Sequence, residues 1–143
     1  MGVRGDSDGF DRLLGCLLEA NRTWAEGAGA LVLTALCRTF VRNGKANRMA
    51  EHDIGLAVGN FTVQATALGL SVHQMAGIDL EMARATCAIP APHEPVTALA
   101  LGYAVDPATV DGPLADRDRA LRRRKPMSEF VFTDVWGNAW PGM

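Results

Sequence analysis

The stretch MAEHDIGLAVGNFTVQATALG, residues 49–69, decides how this chain folds. Its charges stop at Asp53, and Ile54, Val58, Phe61, Ala65 and Leu68 then make one helical seam. Leu56, Ala57, Val63 and Ala67 cover the other sides. The helix from about Met49 to Leu68 is therefore apolar nearly all round, which predicts burial all round. It is short for a bilayer and interrupted by Asn60, Thr62 and Gln64, so it reads as a core helix and not a membrane span. Gly55 and Gly59 share a face and let another backbone come close. A chain of 143 residues cannot cover such a helix on every side alone, so the pattern predicts a second subunit.

Working downstream, Gly69 closes the helix as its left-handed residue. Leu70 to Met75 alternates with period two, as a half-buried strand should. Ala76-Gly77 turns the chain, and Asp79 caps a helix over Leu80 to Cys87. Pro90, Pro92 and Pro95 make a stiff loop before a strand from Val96 to Val105. Asp106 to Arg119 reads as a polar surface connection. A basic run, Arg122-Arg123-Arg124-Lys125-Pro126, precedes a β-prone Phe130-Val131-Phe132. Working upstream, Asn43-Gly44 marks a turn in a loop over Arg38 to Arg48, with Phe40 as its exposed aromatic. Ala30 to Cys37, bounded by glycines, predicts a strand buried on both faces. Phe10, Leu13, Leu14, Leu17 and Leu18 recur as one stripe of an amphipathic helix that starts at Asp8. Three strands and three helices make an α+β domain, and the whole chain, 1–143, reads as one domain.

Composition sets outer limits. Hydrophobic residues reach 48% and charged residues 21%, enough for a packed core and against global disorder. A net charge of -2 offers no support for wrapping nucleic acid. Cys16, Cys37 and Cys87 lie far apart in apolar stretches, which predicts buried reduced thiols and no disulfide framework. The N-terminus has no apolar targeting segment, so the expected location is cytoplasmic, with no membrane partner.

Few residues announce chemistry. His52, His73 and His93 are about twenty apart on a helix start, a strand and a loop, without the convergent spacing of a metal site, so no metal is expected. Ser71 and Ser128 have no base partner, and no phosphate-binding or dinucleotide glycine motif occurs. Two candidates remain. Arg122 and Arg124 alternate in chain that should be extended, which would turn both guanidiniums one way as a phosphate clamp; a solvated charge run is the plainer reading. Gln74-Met75-Ala76-Gly77 ends a strand on small residues, where backbone N–H groups can reach a planar ligand.

In order along the chain, several stretches resemble the nitroreductase family of FMN-dependent oxidoreductases. They are Asn21-Arg22-Thr23-Trp24-Ala25, His52-Asp53-Ile54-Gly55-Leu56-Ala57, Gln64-Ala65-Thr66-Ala67-Leu68-Gly69-Leu70 and His73-Gln74-Met75-Ala76-Gly77-Ile78-Asp79. Ile89-Pro90, Glu94-Pro95-Val96, Ala100-Leu101-Gly102-Tyr103, Arg122-Arg123-Arg124-Lys125-Pro126 and Val135-Trp136-Gly137 keep step. The resemblance implies an α+β flavoprotein: a nitroreductase-like sheet flanked by helices, with the apolar central helix at a homodimer interface. It implies FMN as cofactor, NADH or NADPH as reductant, and a small-molecule electron acceptor such as a nitroaromatic or quinone. It places Gln74, Met75, Ala76 and Gly77 beside the isoalloxazine near N5, and Arg122 and Arg124 on the FMN phosphate. Phe40 falls on the substrate side. No side chain is assigned a catalytic role, because flavin N5 carries the chemistry. The segment after Lys125 would pack on the partner subunit.

Family members open with an Arg- and Ser-rich segment that adds flavin contacts, and Met1 falls after it. Arg4 and Ser7 do not match that context and inherit no role. The expectation for the chain as written is therefore weak FMN binding. The alternative is a truncated, non-catalytic dimeric binding protein.

Overall fold

The computed structural model describes residues 1–5 and 8–141; Ser7 lies outside them. These residues fall into two compact units, Met1–Ala104 and Val105–Met143. In the first unit the elements run β1 (Gly2–Val3), α1 (Gly9–Gly15), α2 (Glu19–Ala25), β2 (Ala30–Cys37), α3 (Ala50–Ala67), β3 (Ser71–Met75), α4 (Leu80–Thr86) and β4 (His93–Gly102). The second unit holds α5 (Pro113–Arg119) between two short 3-10 turns, Pro107–Thr109 and Met127–Glu129. The chain is thus mixed α and β, with four strands and five helices among the described residues instead of three and three.

The strands form one antiparallel sheet in the order β1-β2-β4-β3. Ala30 pairs with Leu101 and Cys37 with His93, with a register shift between Leu33 and Ala35. Thr34, the residue skipped there, is buried, and its hydroxyl accepts from Thr97 N–H at 3.0 Å, in place of a ladder bond. β4 starts at His93, three residues before its expected start, and so includes Pro95. That proline is tolerated because β3 reaches only as far as Ala98, leaving Pro95 on an edge where no donor is needed. The core unites Phe10, Leu13, Leu17, Ala25, Leu31, Met75, Ile78, Ala98 and Ala100.

Several expectations need correction. The N-terminal stripe is two helices, not one. Glycine is a poor helix former, and α1 stops at Gly15. Leu17 then pairs as an isolated bridge with Ile78, and Leu18 turns extended to begin α2, leaving its own side chain half exposed. β2 is less buried than predicted, with Leu31, Thr34 and Leu36 inside and Ala35 exposed. Asp106 to Arg119 is not a featureless connection. Pro113 supplies a pre-set first turn for α5, and Arg119 ties the helix back by donating to the carbonyl of Pro107 at 2.9 Å. Phe130-Val131-Phe132 is no strand; only an isolated bridge joins Phe132 to Ala139. Of the cysteines, Cys16 alone is buried, and burial pushes its thiol pKa up; Cys37 is half-buried and Cys87 exposed.

α3 carries the largest consequence. Ala50, Ile54, Val58, Thr62 and Ala65 face the chain's own sheet. The outward stripe of Leu56, Gly59, Val63 and Ala67, at i, i+3, i+7 and i+11, is exposed, Val63 to 71%. The helix ends in the hydrogen-bond pair of a Schellman cap, Leu70 N–H to Ala65 at 2.9 Å and Gly69 N–H to Thr66 at 3.0 Å, with Gly69 at φ +80°. No helix among the described residues is long and apolar enough to cross a membrane.

Candidate functional site

β2 and β3 both run antiparallel to β4, so they point the same way and finish at one end of the sheet. The site begins there, where β3 runs into the segment Ala76-Gly77-Ile78. That segment is pinned from below. Gly77 carbonyl accepts from Leu18 N–H and from Asn21 Nδ2, each at 3.0 Å, and Cys16 carbonyl accepts from Asp79 N–H at 2.8 Å. A Cβ on Gly77 would lie 2.5 Å from Asn21 Nδ2. Any larger residue there would have to displace the side-chain amide from α2 that occupies this space, a constraint the sequence does not reveal. Asn21 was legible only as part of the Asn-Arg-Thr-Trp-Ala run. Its contact depends on the bridge from Leu17 to Ile78.

The four candidates at this strand end are not equivalent. Gln74 is exposed, and its Nε2 donates to Thr62 Oγ1 of α3 at 3.2 Å. Met75 is buried in the core at 2% exposure, so its side chain is spent on packing and only its backbone faces the turn. Ala76 is exposed and Gly77 half-buried, which leaves backbone as the accessible surface. Asp79 caps α4 by accepting from Met82 N–H at 2.9 Å, as its position predicted.

Following β2 beyond the same end of the sheet comes a hairpin over Thr39 to Ala46, closed by a bridge between those two residues. Phe40 N–H donates to Lys45 carbonyl and Gly44 N–H to Phe40 carbonyl, both at 2.8 Å, and Gly44 takes φ +68°. Asn43-Gly44 therefore makes the turn its sequence predicted. Phe40 is half-buried, not exposed, and the guanidinium of Arg42 lies over its ring, 5.1 Å from the centroid.

Arg38, at the hairpin base, is an ion-pair node that the sequence did not single out. Its Nε donates to Glu94 Oε2 of β4 at 2.7 Å, and its Nη1 donates to Glu51 in the first turn of α3. The hydrogen bond from Arg38 holds the Glu51 carboxyl below the usual glutamate range, and Glu51 and Glu94 together raise the Arg38 pKa.

In the second unit, Leu121 to Pro126 has neither helix nor strand, and all four basic residues are exposed. Arg124 Nη1 donates to Arg123 carbonyl at 3.1 Å. No carboxylate pairs with Arg122, Arg123, Arg124 or Lys125 among the described residues. Unneutralised guanidinium forks suit a phosphate dianion, so the donor set here fits that part of FMN. No group of His, Cys, Asp and Glu suited to a metal occurs among the described residues.

The chain matches known proteins along most of its length. It is 34% identical over 144 residues to an uncharacterized 15.4 kDa protein in the ask 5′ region of Mycolicibacterium smegmatis, covering 96% of both chains. Its fold is similar to that of an oxidoreductase containing FMN, with TM-score 0.85 and 22% identity over 96% of this chain and 70% of the other. It is also similar to a nitroreductase family protein of Clostridium difficile 630, with TM-score 0.64 and 20% identity over 94% of this chain and 72% of the other. The nitroreductase family pattern itself runs over residues 14–103, from the last turn of α1 to just past the end of β4, and the chain belongs to the nitroreductase family.

Proposed function

We propose that the chain is an FMN-dependent oxidoreductase of nitroreductase type. It takes reducing equivalents from NADH or NADPH and reduces a small oxidised acceptor, such as a nitroaromatic or quinone, as a cytoplasmic homodimer. The observation that carries this reading is the family match from α1 to β4, because that span contains the strand-end turn at Gln74 to Gly77. Bound FMN supplies the hydride and electron chemistry. The chain's own part is to hold and orient it: the backbone at exposed Ala76 and half-buried Gly77 is the ring contact in this reading, and Arg122 and Arg124 are its phosphate contacts. Asn21 keeps the Gly77 carbonyl fixed, so the turn presents one backbone geometry. The outward stripe on α3 supports the homodimer, since a charge-free helix face of this length is poorly suited to water.

FMN titration of the full chain tests the assignment. Two charge-assisted contacts to a phosphate are worth about 1.5–3 kcal/mol each. Arg124→Ala should therefore weaken FMN binding about ten-fold to a hundred-fold, while riboflavin, which lacks the phosphate, should bind wild type and variant alike. Arg123→Ala should change FMN affinity far less. Equal losses for the Arg123 and Arg124 variants would reduce the run to a charged surface.

A further inference from the structure

Residues 27–50 contain four cations, Arg38, Arg42, Lys45 and Arg48, and not one Asp or Glu. Glu51 and Glu94 neutralise Arg38. Arg42, Lys45 and Arg48 are exposed and meet no carboxylate among the described residues. The hairpin that carries the first two is ordered by its own hydrogen bonds, with a further one from Lys45 N–H to Asn43 Oδ1 at 3.1 Å. Arg42 is held over Phe40. A guanidinium stacked on a ring keeps its N–H edge free for a phosphate, and its second face stays open to another planar group.

The position of this cluster narrows its ligand. Met75 and Leu33 are both level with Ala98, and β2 continues from Leu33 to Cys37 before the hairpin opens. Four residue steps of strand carry the end of β2 about 13 Å beyond the end of β3, at the same end of the sheet, and the hairpin starts two residues further on. That separation is the length of a dinucleotide, not of a single aromatic ring. We infer that the hairpin Thr39 to Ala46, with Arg48, binds the phosphate-bearing adenosine end of the nicotinamide dinucleotide and selects NADPH over NADH. Arg42 and Lys45 are the specificity-determining residues, Arg42 through both its stacking face and its donors. The inference rests on the functional reading above, which places the nicotinamide end beside Ala76-Gly77.

The test has a catalytic and a binding arm. In steady-state kinetics the ratio of kcat/KM for NADPH to that for NADH should fall about ten-fold in Arg42→Gln/Lys45→Gln, with the NADPH value falling far more than the NADH value, which loses only the stacking contact. By calorimetry, adenosine 2′,5′-bisphosphate should bind the wild-type chain more tightly than 5′-AMP, and the double variant should lose that difference. Calorimetry needs no flavin, so it stands if the chain oxidises neither nucleotide; that outcome would end the functional reading and leave the hairpin site in place. Equal binding of the two adenosine phosphates to wild type would overturn the proposal. So would a double variant that leaves nucleotide preference intact yet loses affinity for 4-nitrobenzoate relative to 4-nitrobenzyl alcohol, because the hairpin would then serve an anionic acceptor.

Discussion

Gly77 and Asn21 form a pair that neither residue explains alone. Gly77→Ala drives a methyl into the Asn21 amide, which sits 2.5 Å from the added carbon. Asn21 can move only by giving up its bond to the Gly77 carbonyl. The substitution should cost about 1–3 kcal/mol in urea unfolding. The double variant Asn21→Ala/Gly77→Ala should cost less than the sum of the singles, because the amide that clashes is gone; strict additivity would mean the two do not touch. Glu51 gives a second test at this scale. Its folded pKa is depressed, so its contribution is complete above the ordinary glutamate value, about 4.3, and is lost as pH falls through the lower folded value. The Tm gap between wild type and Glu51→Gln should therefore be constant near neutrality and close in acid. A gap that widened in acid would contradict the Arg38 pairing.

Among the elements, α3 makes the sharpest prediction. A Cβ at Gly55 or Gly59 meets nothing within 4 Å in the chain itself, so substitution there disturbs no intramolecular packing. Gly59→Leu should leave the subunit folded, with unchanged far-UV circular dichroism, and still abolish self-association by overpacking the subunit contact, at about 1–3 kcal/mol or more. Sedimentation of a folded wild-type monomer at micromolar concentration would remove the homodimer reading. The reach of sequence reasoning differs element by element. α3 and its Gly69 cap were legible because charge-free periodicity and a left-handed glycine are local signals. β2 was legible because glycines bound its apolar run. The break at Gly15 was not, since the leucine spacing continues through it and only pairing with Ile78 takes Leu17 out of the helix.

At the scale of the whole molecule, the core cluster draws only on residues up to Ala100, all within the first unit. A chain ending at Ala104 should therefore keep the sheet, with near-wild-type circular dichroism and a cooperative thermal transition. Its loss of FMN affinity should match that of removing Arg122 and Arg124. A noncooperative transition would show that the second unit is needed for folding.

By itself the sequence determined the α+β class, the central helix, the strand over Ala30 to Cys37 and the turns at Asn43-Gly44 and Gly69. Each depends on periodicity or backbone freedom within a few residues. Family kinship was also legible, because collinear motifs survive where single ones say little. Tertiary structure alone decided that Thr34 replaces a ladder bond, that Asn21 fills the space beside Gly77, and that Arg38 joins β2, α3 and β4. It also decided which face of α3 remains uncovered. These features rest on contacts between residues about a dozen to more than sixty positions apart. Such contacts are set by sheet register and helix packing, and local sequence has no means of encoding them.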